Sequence, residues 1–328
     1  MPPESNYTPP KGGLSIRMQS TNPQPAACDL SIIIVNWNTR EMLAECLSSL
    51  ERANVGTCKR SNVETFVVDN ASTDGSAGMV RQRFPWVRLI ENAENVGFAR
   101  ANNQAISQSQ CRYVLLLNSD AQLRVGLLES MIQHLEADPT TGITGVCQVF
   151  PDGRSQFCYG RFPTLWREAR ALLGLHRWDL SPLRRLDTPR PVDWVSGACL
   201  MVRREVLEQI GLLDETFFMF GEEVDLCYRA TEAGWKVCLV PSPPLLHVRA
   251  GSTGKTPERI LRLYRGKLRY FQKHQGVLRS WVLLALFRLA TAAKLVLYGV
   301  LSVVRPAAAP QRRLWAEVFE ILWKNGLV

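Results

Sequence analysis

The sequence predicts an α/β protein built on a doubly wound sheet, with a basic, apolar helical extension at its C-terminal end. Three observations carry this expectation. Short apolar runs alternate with helical stretches from Leu30 to about Ala137. Each run stops at a polar loop, the pattern of successive βαβ units. The charge is also segregated. Residues 249–328 hold fifteen Lys and Arg against three Asp and Glu, a net +12, while residues 1–248 hold 24 against 27, a net −3.

The first run, Leu30-Ser31-Ile32-Ile33-Ile34-Val35, is β-branched and has the character of a strand buried on both faces. It ends at Asn36-Trp37-Asn38-Thr39, and a helix with Met42, Leu43, Cys46, Leu47 and Leu50 follows. Val63–Val68 repeats the unit and ends in Asp69-Asn70-Ala71-Ser72-Thr73-Asp74-Gly75-Ser76. Val87–Ile90 leads to Glu94-Asn95-Val96-Gly97-Phe98 and a helix over Ala99–Gln108, and Tyr113–Leu117 stops at Asn118-Ser119-Asp120. Such alternation implies a parallel sheet, in which ligands bind outside the carboxyl ends of the strands. Here those ends carry Asn36, Trp37, Asp69, Asn95, Gly97 and Asp120.

Beyond Ala137 the pattern loosens. Strands are expected at Gly145–Phe150, Trp194–Val202 and Lys236–Val240, and helices at about 203–213 and 222–233. Glu258–Lys273 reads as an amphipathic helix with a basic stripe of Arg259, Arg262, Arg265, Arg269 and Lys273. Leu278–Val304 is long enough to cross a bilayer core, about 40 Å as a helix, and a last helix occupies about 312–324. Arg279, Arg288 and Lys294 interrupt the apolar run, and charge near mid-membrane is costly. The expectation is a segment lying in or dipping into the interface, with Trp281 and the basic side chains at the headgroups. The alternative is a helical subdomain packed on the core or on a second subunit.

At 328 residues, 46% hydrophobic and 21% charged, the chain is neither disordered nor collagen-like nor a disulfide scaffold. That length suits two domains or one large α/β domain with an appendage. Residues 1–27, rich in Pro, Ser, Asn and Gly, contain no apolar run and read as a disordered tail instead of a signal peptide or anchor. The nine cysteines show no CxxC pair or metal-ligand spacing. They read as buried reduced thiols, which places the active part on the cytoplasmic side.

Asp120, at the end of an apolar strand, suits a hard cation that bridges diphosphate oxygens, or else caps the next helix. Asp69 is positioned to accept the imide N–H of a pyrimidine, or else forms its turn. Glu222, Glu223 and Asp225 open a helix after the aromatic run Phe217-Phe218-Met219-Phe220. Asp225 is expected to pair with Arg229 at i,i+4. A carboxylate among like charges in a dry aromatic setting has its pKa raised, as a general base requires. His247 follows a strand and is either a satisfied structural histidine or a metal or diphosphate contact. No Walker A loop, GxGxxG, GxSxG or HExxH occurs, so P-loop, serine and zinc hydrolysis lack support.

Taken together, Ser31–Asn38, Val67–Ser76, Glu94–Asn103 and Leu117-Asn118-Ser119-Asp120-Ala121 resemble family 2 glycosyltransferases of the GT-A fold. So do Trp194–Ala198, Gly211–Glu215 and Glu222–Arg229, and the likeness runs from Leu30 to Lys273. Rhamnosyltransferase-like members that build polysaccharide or cell-wall linkers are the most similar. The resemblance implies a catalytic GT-A domain over 28–257, with a nucleotide-sugar half at about 28–125 and an acceptor half at about 126–257. It leaves 258–328 as the basic helical region. It further implies that Asn36, Trp37 and Asp69 contact the base and ribose, and that Asn95, Gly97, Asn102 and Asn118 line the donor pocket. Trp194, Ser196 and Gly197 would border the acceptor. Asp120 stands at the second carboxylate of the family's Asp-x-Asp, with Asn118 at the first, and His247 where some members complete the shell of a Mg²⁺ or Mn²⁺ ion. Glu223 falls at the family's catalytic position, with Glu222 the other candidate base. The implied reaction is inverting transfer from a nucleotide-diphospho-sugar to a hydroxyl of a lipid-linked glycan, at the cytoplasmic face of the inner membrane. An anionic membrane surface would be the partner of the basic end, and a homo-oligomer is left open. Two other classes compete: a non-catalytic nucleotide-sugar-binding module, and a nucleic-acid-binding protein. The basic residues accompany a long apolar run instead of aromatics in a polar groove, which favours lipid over nucleic acid.

Overall fold

A computed structural model describes residues 28–53, 62–175, 183, 185–248 and 256–324. The tail expected over 1–27, Cys58, and the basic residues Arg249 and Lys255 lie outside the described residues. The first half follows the predicted alternation: β1 (Leu30–Asn36), α1 (Arg40–Arg52), β2 (Val63–Asp69), α2 (Ser76–Arg83), β3 (Arg88–Glu91), α3 (Phe98–Ile106) and β4 (Tyr113–Asn118). β1 lies between β2 and β4 and is parallel to both, with Asn36 opposite Asp69 and Val35 opposite Asn118. Successive side chains of a strand point to opposite faces. Ile32 and Ile34 accordingly enter one buried cluster with α1 and α4 (Leu127–Ala137), and Ile33 enters the other with α3.

The second half departs from an all-parallel sheet. After β5 (Ala121–Gln122) and α4 come β6 (Thr141–Gly145), β7 (Gln148–Val149), β8 (Ser155–Gln156), β9 (Tyr159–Gly160) and α5 (Leu165–Leu172). Next are β10 (Arg190–Pro191), β11 (Trp194–Val195), β12 (Cys199–Arg203) and α6 (Arg204–Ile210). Then follow α7 (Glu222–Glu232), β13 (Lys236–Leu239) and β14 (Leu245–His247). The main sheet, in the order β10-β13-β6-β12-β4-β1-β2-β3, is mixed, because β12 runs antiparallel between β4 and β6. All five β12 residues are buried, so an antiparallel strand here has the same continuous apolar pattern as a parallel one. The expected strand Trp194–Val202 is two strands in different sheets, broken at Ser196-Gly197-Ala198, and Gly145–Phe150 is likewise divided between β6 and β7.

The cysteine expectation needs one correction. Cys28 and Cys111 form a disulfide. Parallel pairing puts Leu30 opposite Tyr113, so the positions two residues earlier also come together, with Cα atoms 4.6 Å apart across 83 residues of sequence. The argument from reduced thiols to compartment therefore does not hold for this pair. Cys46, Cys147, Cys158, Cys199, Cys227 and Cys238 are free and buried, as expected.

The C-terminal helices are α8 (Pro257–His274), α9 (Val277–Val304) and α10 (Ala309–Lys324). Thr256 caps α8 by accepting from the Arg259 amide, and Pro257 sits in the first turn. The three helices share a core of Leu268, Phe271, Leu283, Leu284, Phe287, Trp315, Val318 and Leu322, which also takes in Phe217 from the α6–α7 loop. Among the described residues, α9 is the one helix long and apolar enough to cross a membrane. Two of its interrupting charges turn towards α10: the Arg288 guanidinium lies 5.2 Å from the Trp323 ring centroid and Lys294 Nζ 4.1 Å from that of Trp315. Leu278, Trp281, Val282, Leu289, Val296, Leu297, Val300, Val303 and Val304 remain exposed.

Candidate active site

The strand ends meet as the parallel register requires. Asn36 Nδ2 donates to Asp69 Oδ1 at 2.8 Å and to Ser72 Oγ at 3.1 Å, while the Ser72 amide donates to Asp69 Oδ2 at 2.9 Å. Thr39 Oγ1 donates to Asn36 Oδ1 at 2.6 Å and lies 2.8 Å from Ser119 Oγ, tying β1 to the loop after β4. Asn36 and Asp69 are buried by this network, whereas the neighbouring Trp37 is about half exposed, at 49%. Asn95 Oδ1 accepts from the Gly97 amide, and Asn102 Nδ2 donates to the Phe98 carbonyl. Asn102 Oδ1 is buried without a partner. Gly97 has φ +87°, and a Cβ there would stand 2.6 Å from the Phe218 carbonyl oxygen, so only glycine serves. Its neighbour Phe98 donates its amide to the same Phe218 carbonyl at 2.7 Å, which brings the α6–α7 loop to the start of α3.

Asp120 and His247 come together because β14 pairs antiparallel with β5, placing His247 opposite Ala121. His247 Nε2 lies 3.1 Å from Asp120 Oδ1 and 3.4 Å from Asn118 Nδ2. On the other side of the ring, Nδ1 lies 3.0 Å from Gln156 Oε1. The Gln156 amide donates to the carbonyl of His247 itself, which fixes its orientation and turns Oε1 to the ring. Nδ1 therefore carries a proton, and in the neutral imidazole the Nε2 lone pair faces the Asp120 carboxylate. Two acceptors face to face at this distance call for a proton or a cation between them. The N and O donors, with an outer amide orienting the ring, fit a divalent metal ion. The other cluster among the described residues, Cys28, Glu64 and Cys111, offers no thiolate pair because its cysteines are bonded to each other.

The helix α7 begins after two residues in the left-handed region, Phe220 at φ +73° and Gly221 at φ +103°. This abrupt entry sets Glu222, Glu223 and Asp225 in the first turn, where the helix dipole favours negative charge. The three carboxylates then diverge. Glu222 is buried, with Oε2 unpartnered; burial, then the neighbouring Glu223 charge, raises its pKa well above the ordinary carboxylate range. Glu223 is half-buried, and its Oε2 accepts from the Gly221 amide at 3.1 Å; burial raises its pKa as well. A Cβ added at Gly197 would lie 3.6 Å from Glu223 Cβ and 3.8 Å from the Phe98 ring, so the break between β11 and β12 lies against Glu223.

Asp225 is structural. It is fully buried and meets Arg229 Nε at 2.8 Å, the expected i,i+4 pair, together with Lys273 Nζ at 2.8 Å and His274 Nε2 at 2.7 Å from α8. Burial alone would raise its pKa, but hydrogen bonds from Lys273, His274 and Arg229 hold it below the ordinary value.

The sequence-predicted residues thus fall in three groups: the Asn36/Asp69 strand ends, the Asp120/His247 corner with Asn118, and the Glu222/Glu223 helix start beside Gly97 and Gly197. Ser196 ties its strand end down, its amide donating to Cys158 O at 2.8 Å. Trp194 lies against Gly160, its indole N–H donating to Arg161 O at 3.1 Å, and nothing in its contacts reaches Glu223. Sequence reasoning missed Gln156, which sits on a two-residue strand in an irregular region without a motif to mark it. It also missed Phe218, for which the aromatic run before Glu222 was the available signal.

A mixed α/β sheet thus carries a carboxylate–histidine corner at its strand ends and a carboxylate pair at the start of a following helix. The family model "Glycosyl transferase family 2" matches residues 31–211. An N-acetylglucosaminyl-diphospho-decaprenol L-rhamnosyltransferase of Mycobacterium tuberculosis is 33% identical over 247 residues, 70% of this chain and 78% of that protein. The low-salt glycan biosynthesis hexosyltransferase Agl10 of Haloferax volcanii is 28% identical over 221 residues, 62% of this chain and 61% of that protein. Among solved structures, the mannosyltransferase PcManGT from Pyrobaculum calidifontis, in complex with GDP-Man and Mn²⁺, aligns with a TM-score of 0.53 at 17% identity. That alignment covers 92% of each chain and shows the fold. The chain belongs to glycosyltransferase family 2 and is a glycosyltransferase of GT-A fold.

Proposed function

We propose that this enzyme transfers a sugar, with rhamnose favoured, from a nucleotide-diphosphate donor to a hydroxyl of a lipid-linked glycan, with inversion, in cell-wall or surface polysaccharide synthesis. The observation that supports the mechanism is the closeness of Glu223 to Gly197, beside the Phe98 ring at the Gly97 turn. The choice of rhamnose and of a lipid-linked acceptor leans on the name of the Mycobacterium tuberculosis relative.

Asn36, Trp37 and Asp69 hold the base and ribose, and Asn95, Gly97, Asn102 and Asn118 line the donor pocket. Asp120 and His247 would hold Mg²⁺ or Mn²⁺, which would supply positive charge beside the donor diphosphate. Glu223 is the general base. It is half-buried beside Gly197, whereas Glu222 is buried, with its pKa raised by burial and by the Glu223 charge. Glu223 takes the proton of the acceptor hydroxyl as the oxygen attacks the anomeric carbon from the face opposite the diphosphate. Ser196 and Gly197 border the acceptor, with Trp194 behind them.

The exposed apolar face of α9 lies in the interface of the cytoplasmic leaflet, flanked by exposed Arg279 at one end and Arg305, Arg312 and Arg313 at the other. This supports a monotopic or peripheral enzyme meeting its acceptor at the bilayer.

The test is nucleoside diphosphate release by the purified full chain over a panel of nucleotide-sugars, with Mg²⁺, Mn²⁺ or chelator, and with a polyprenyl-diphospho-N-acetylglucosamine acceptor. Metal-dependent, acceptor-stimulated release from a rhamnosyl donor is expected. Turnover undiminished by chelator, or stimulated only by soluble acceptors, would sink the proposal.

A further inference from the structure

The basic stripe of α8 does not behave as one surface. Lys267 pairs with Glu168, and Lys273 pairs with Asp214 and Asp225. Arg262, Arg265 and Arg269 have no carboxylate partner among the described residues. Instead all three line one pocket of about 320 Å³, together with Gly266 of α8 and Thr216, Phe217, Phe218 and Met219 of the α6–α7 loop. The Arg262 guanidinium lies 5.0 Å from the Phe218 ring centroid, and Arg269 Nε donates to Thr216 Oγ1 at 2.9 Å. Phe218 and Met219 are exposed, at 42% and 38%.

Three guanidinium groups within two helical turns repel one another, and neighbouring carboxylates relieve Lys267 and Lys273 of this helix but not these. The planar fork of Arg suits phosphate oxygens, and two or three such groups around one pocket suit a multiply charged phosphate ester. The exposed aromatic and thioether side chains add an apolar wall, which a free phosphate does not need and a lipid chain does. The pocket also adjoins the reaction crevice. Phe218 lines it and at the same time covers Gly97 with its carbonyl and ring. The donor diphosphate has its own corner at Asp120 and His247, so a second anion subsite beside the catalytic loop falls to the acceptor.

We propose that this pocket binds the diphosphate of the polyprenyl-linked acceptor, with Arg262, Arg265 and Arg269 on the phosphate oxygens and Phe218 and Met219 along the first isoprene units. The proposal rests on the lipid-linked acceptor assigned above and locates its recognition in one pocket instead of a general attraction to anionic lipid.

The test uses the full chain and titrates farnesyl diphosphate, inorganic pyrophosphate and anionic phosphatidylglycerol vesicles separately, with no turnover required. The pocket variant is Arg262→Gln with Arg265→Gln. A charge-matched control is Arg52→Gln with Arg83→Gln, exposed at the ends of α1 and α2. The pocket variant is expected to bind farnesyl diphosphate about 10- to 100-fold more weakly, and the control to bind it like the parent. The acceptor KM should rise in the same proportion. Equal losses in both variants would reduce the effect to diffuse surface charge and overturn the proposal. So would unaltered farnesyl diphosphate binding in the pocket variant, or pyrophosphate binding as tight as farnesyl diphosphate. Absence of any nucleotide-sugar turnover alongside pocket-dependent farnesyl diphosphate binding would count against the proposed reaction and leave this subsite standing.

Discussion

Gly266 of α8 passes so close to Phe220 that an added Cβ would stand 2.0 Å from the Phe220 carbonyl oxygen. Phe220 is the left-handed residue that turns the chain into α7, so the C-terminal helix presses directly on the loop that sets Glu222 and Glu223. The helical region is thus part of what positions the site. Gly266→Ala is expected to force the backbones apart at a cost of about 1–3 kcal/mol and to lower kcat along with the melting temperature. A variant with the parent's melting temperature and kcat would show that the contact is not formed in solution.

Glu223→Gln is expected to lower kcat by about 10²- to 10⁴-fold with little change in donor KM. Glu222→Gln should leave most of the turnover. The raised pKa of Glu223 also moves the acid limb of the kcat profile above the ordinary carboxylate range. Steady-state kinetics of both variants across pH decide the assignment; the larger loss in Glu222→Gln would exchange the two roles.

Glu222 has a stability signature of its own. Because its folded pKa is raised, the folded chain keeps a proton that the unfolded chain releases. Stability from this group is full below the ordinary Glu pKa and declines as pH climbs through the raised value. Glu222→Gln should remove that decline, so its melting temperature exceeds the parent's near neutral pH and converges on it in acid. Parallel melting curves at all pH values would contradict the buried, unpaired state of this carboxyl.

Gln156 never touches substrate in this scheme, yet it sets the His247 tautomer. Gln156→Leu should weaken Mn²⁺ binding by about 10- to 100-fold. Calorimetric titration of Mn²⁺ in the presence of nucleoside diphosphate is the measurement, and unchanged affinity would remove His247 from the metal shell.

Asp225 is fully buried beside Arg229, Lys273 and His274, and deleting its charge would strip Arg229 and Lys273 of their buried carboxylate. Asp225→Asn is expected to cost about 3–5 kcal/mol. Its lowered folded pKa makes its contribution complete above the ordinary Asp pKa and lost as pH falls below it. Urea unfolding at neutral and acid pH measures both effects, and a loss under about 1 kcal/mol would mean the cluster is open to water.

The first half of the sheet was legible because its signals are local. Leu30–Asn36 and Val63–Asp69 are apolar runs closed by Asn and Asp, and parallel pairing necessarily sets those closing residues side by side. The i,i+4 spacing of Asp225 and Arg229 was enough to expect their bond. The mixed sheet was not legible. A fully buried antiparallel strand such as β12 carries no alternation, and the break at Ser196-Gly197-Ala198 is marked only by small residues that also occur within strands. Nor could the sequence foresee that Cys28 and Cys111, 83 residues apart, would bond through the register of β1 on β4.

By itself, then, the sequence determined the order of strands and helices, the loops that hold polar residues at strand ends, the family, and the separation of a basic, apolar end from an acidic body. These follow from periodicity, turn chemistry and composition, which act over a few residues. Only the tertiary structure decided what each charge does. It turned Arg288 and Lys294 onto Trp323 and Trp315, leaving α9 with an apolar outer face, and gave Lys267 and Lys273 carboxylate partners. It left Arg262, Arg265 and Arg269 around one pocket lined by the α6–α7 loop. The physical reason is that a charge's role depends on the distance to its partner and on its access to water, and both are set by packing between elements far apart in sequence.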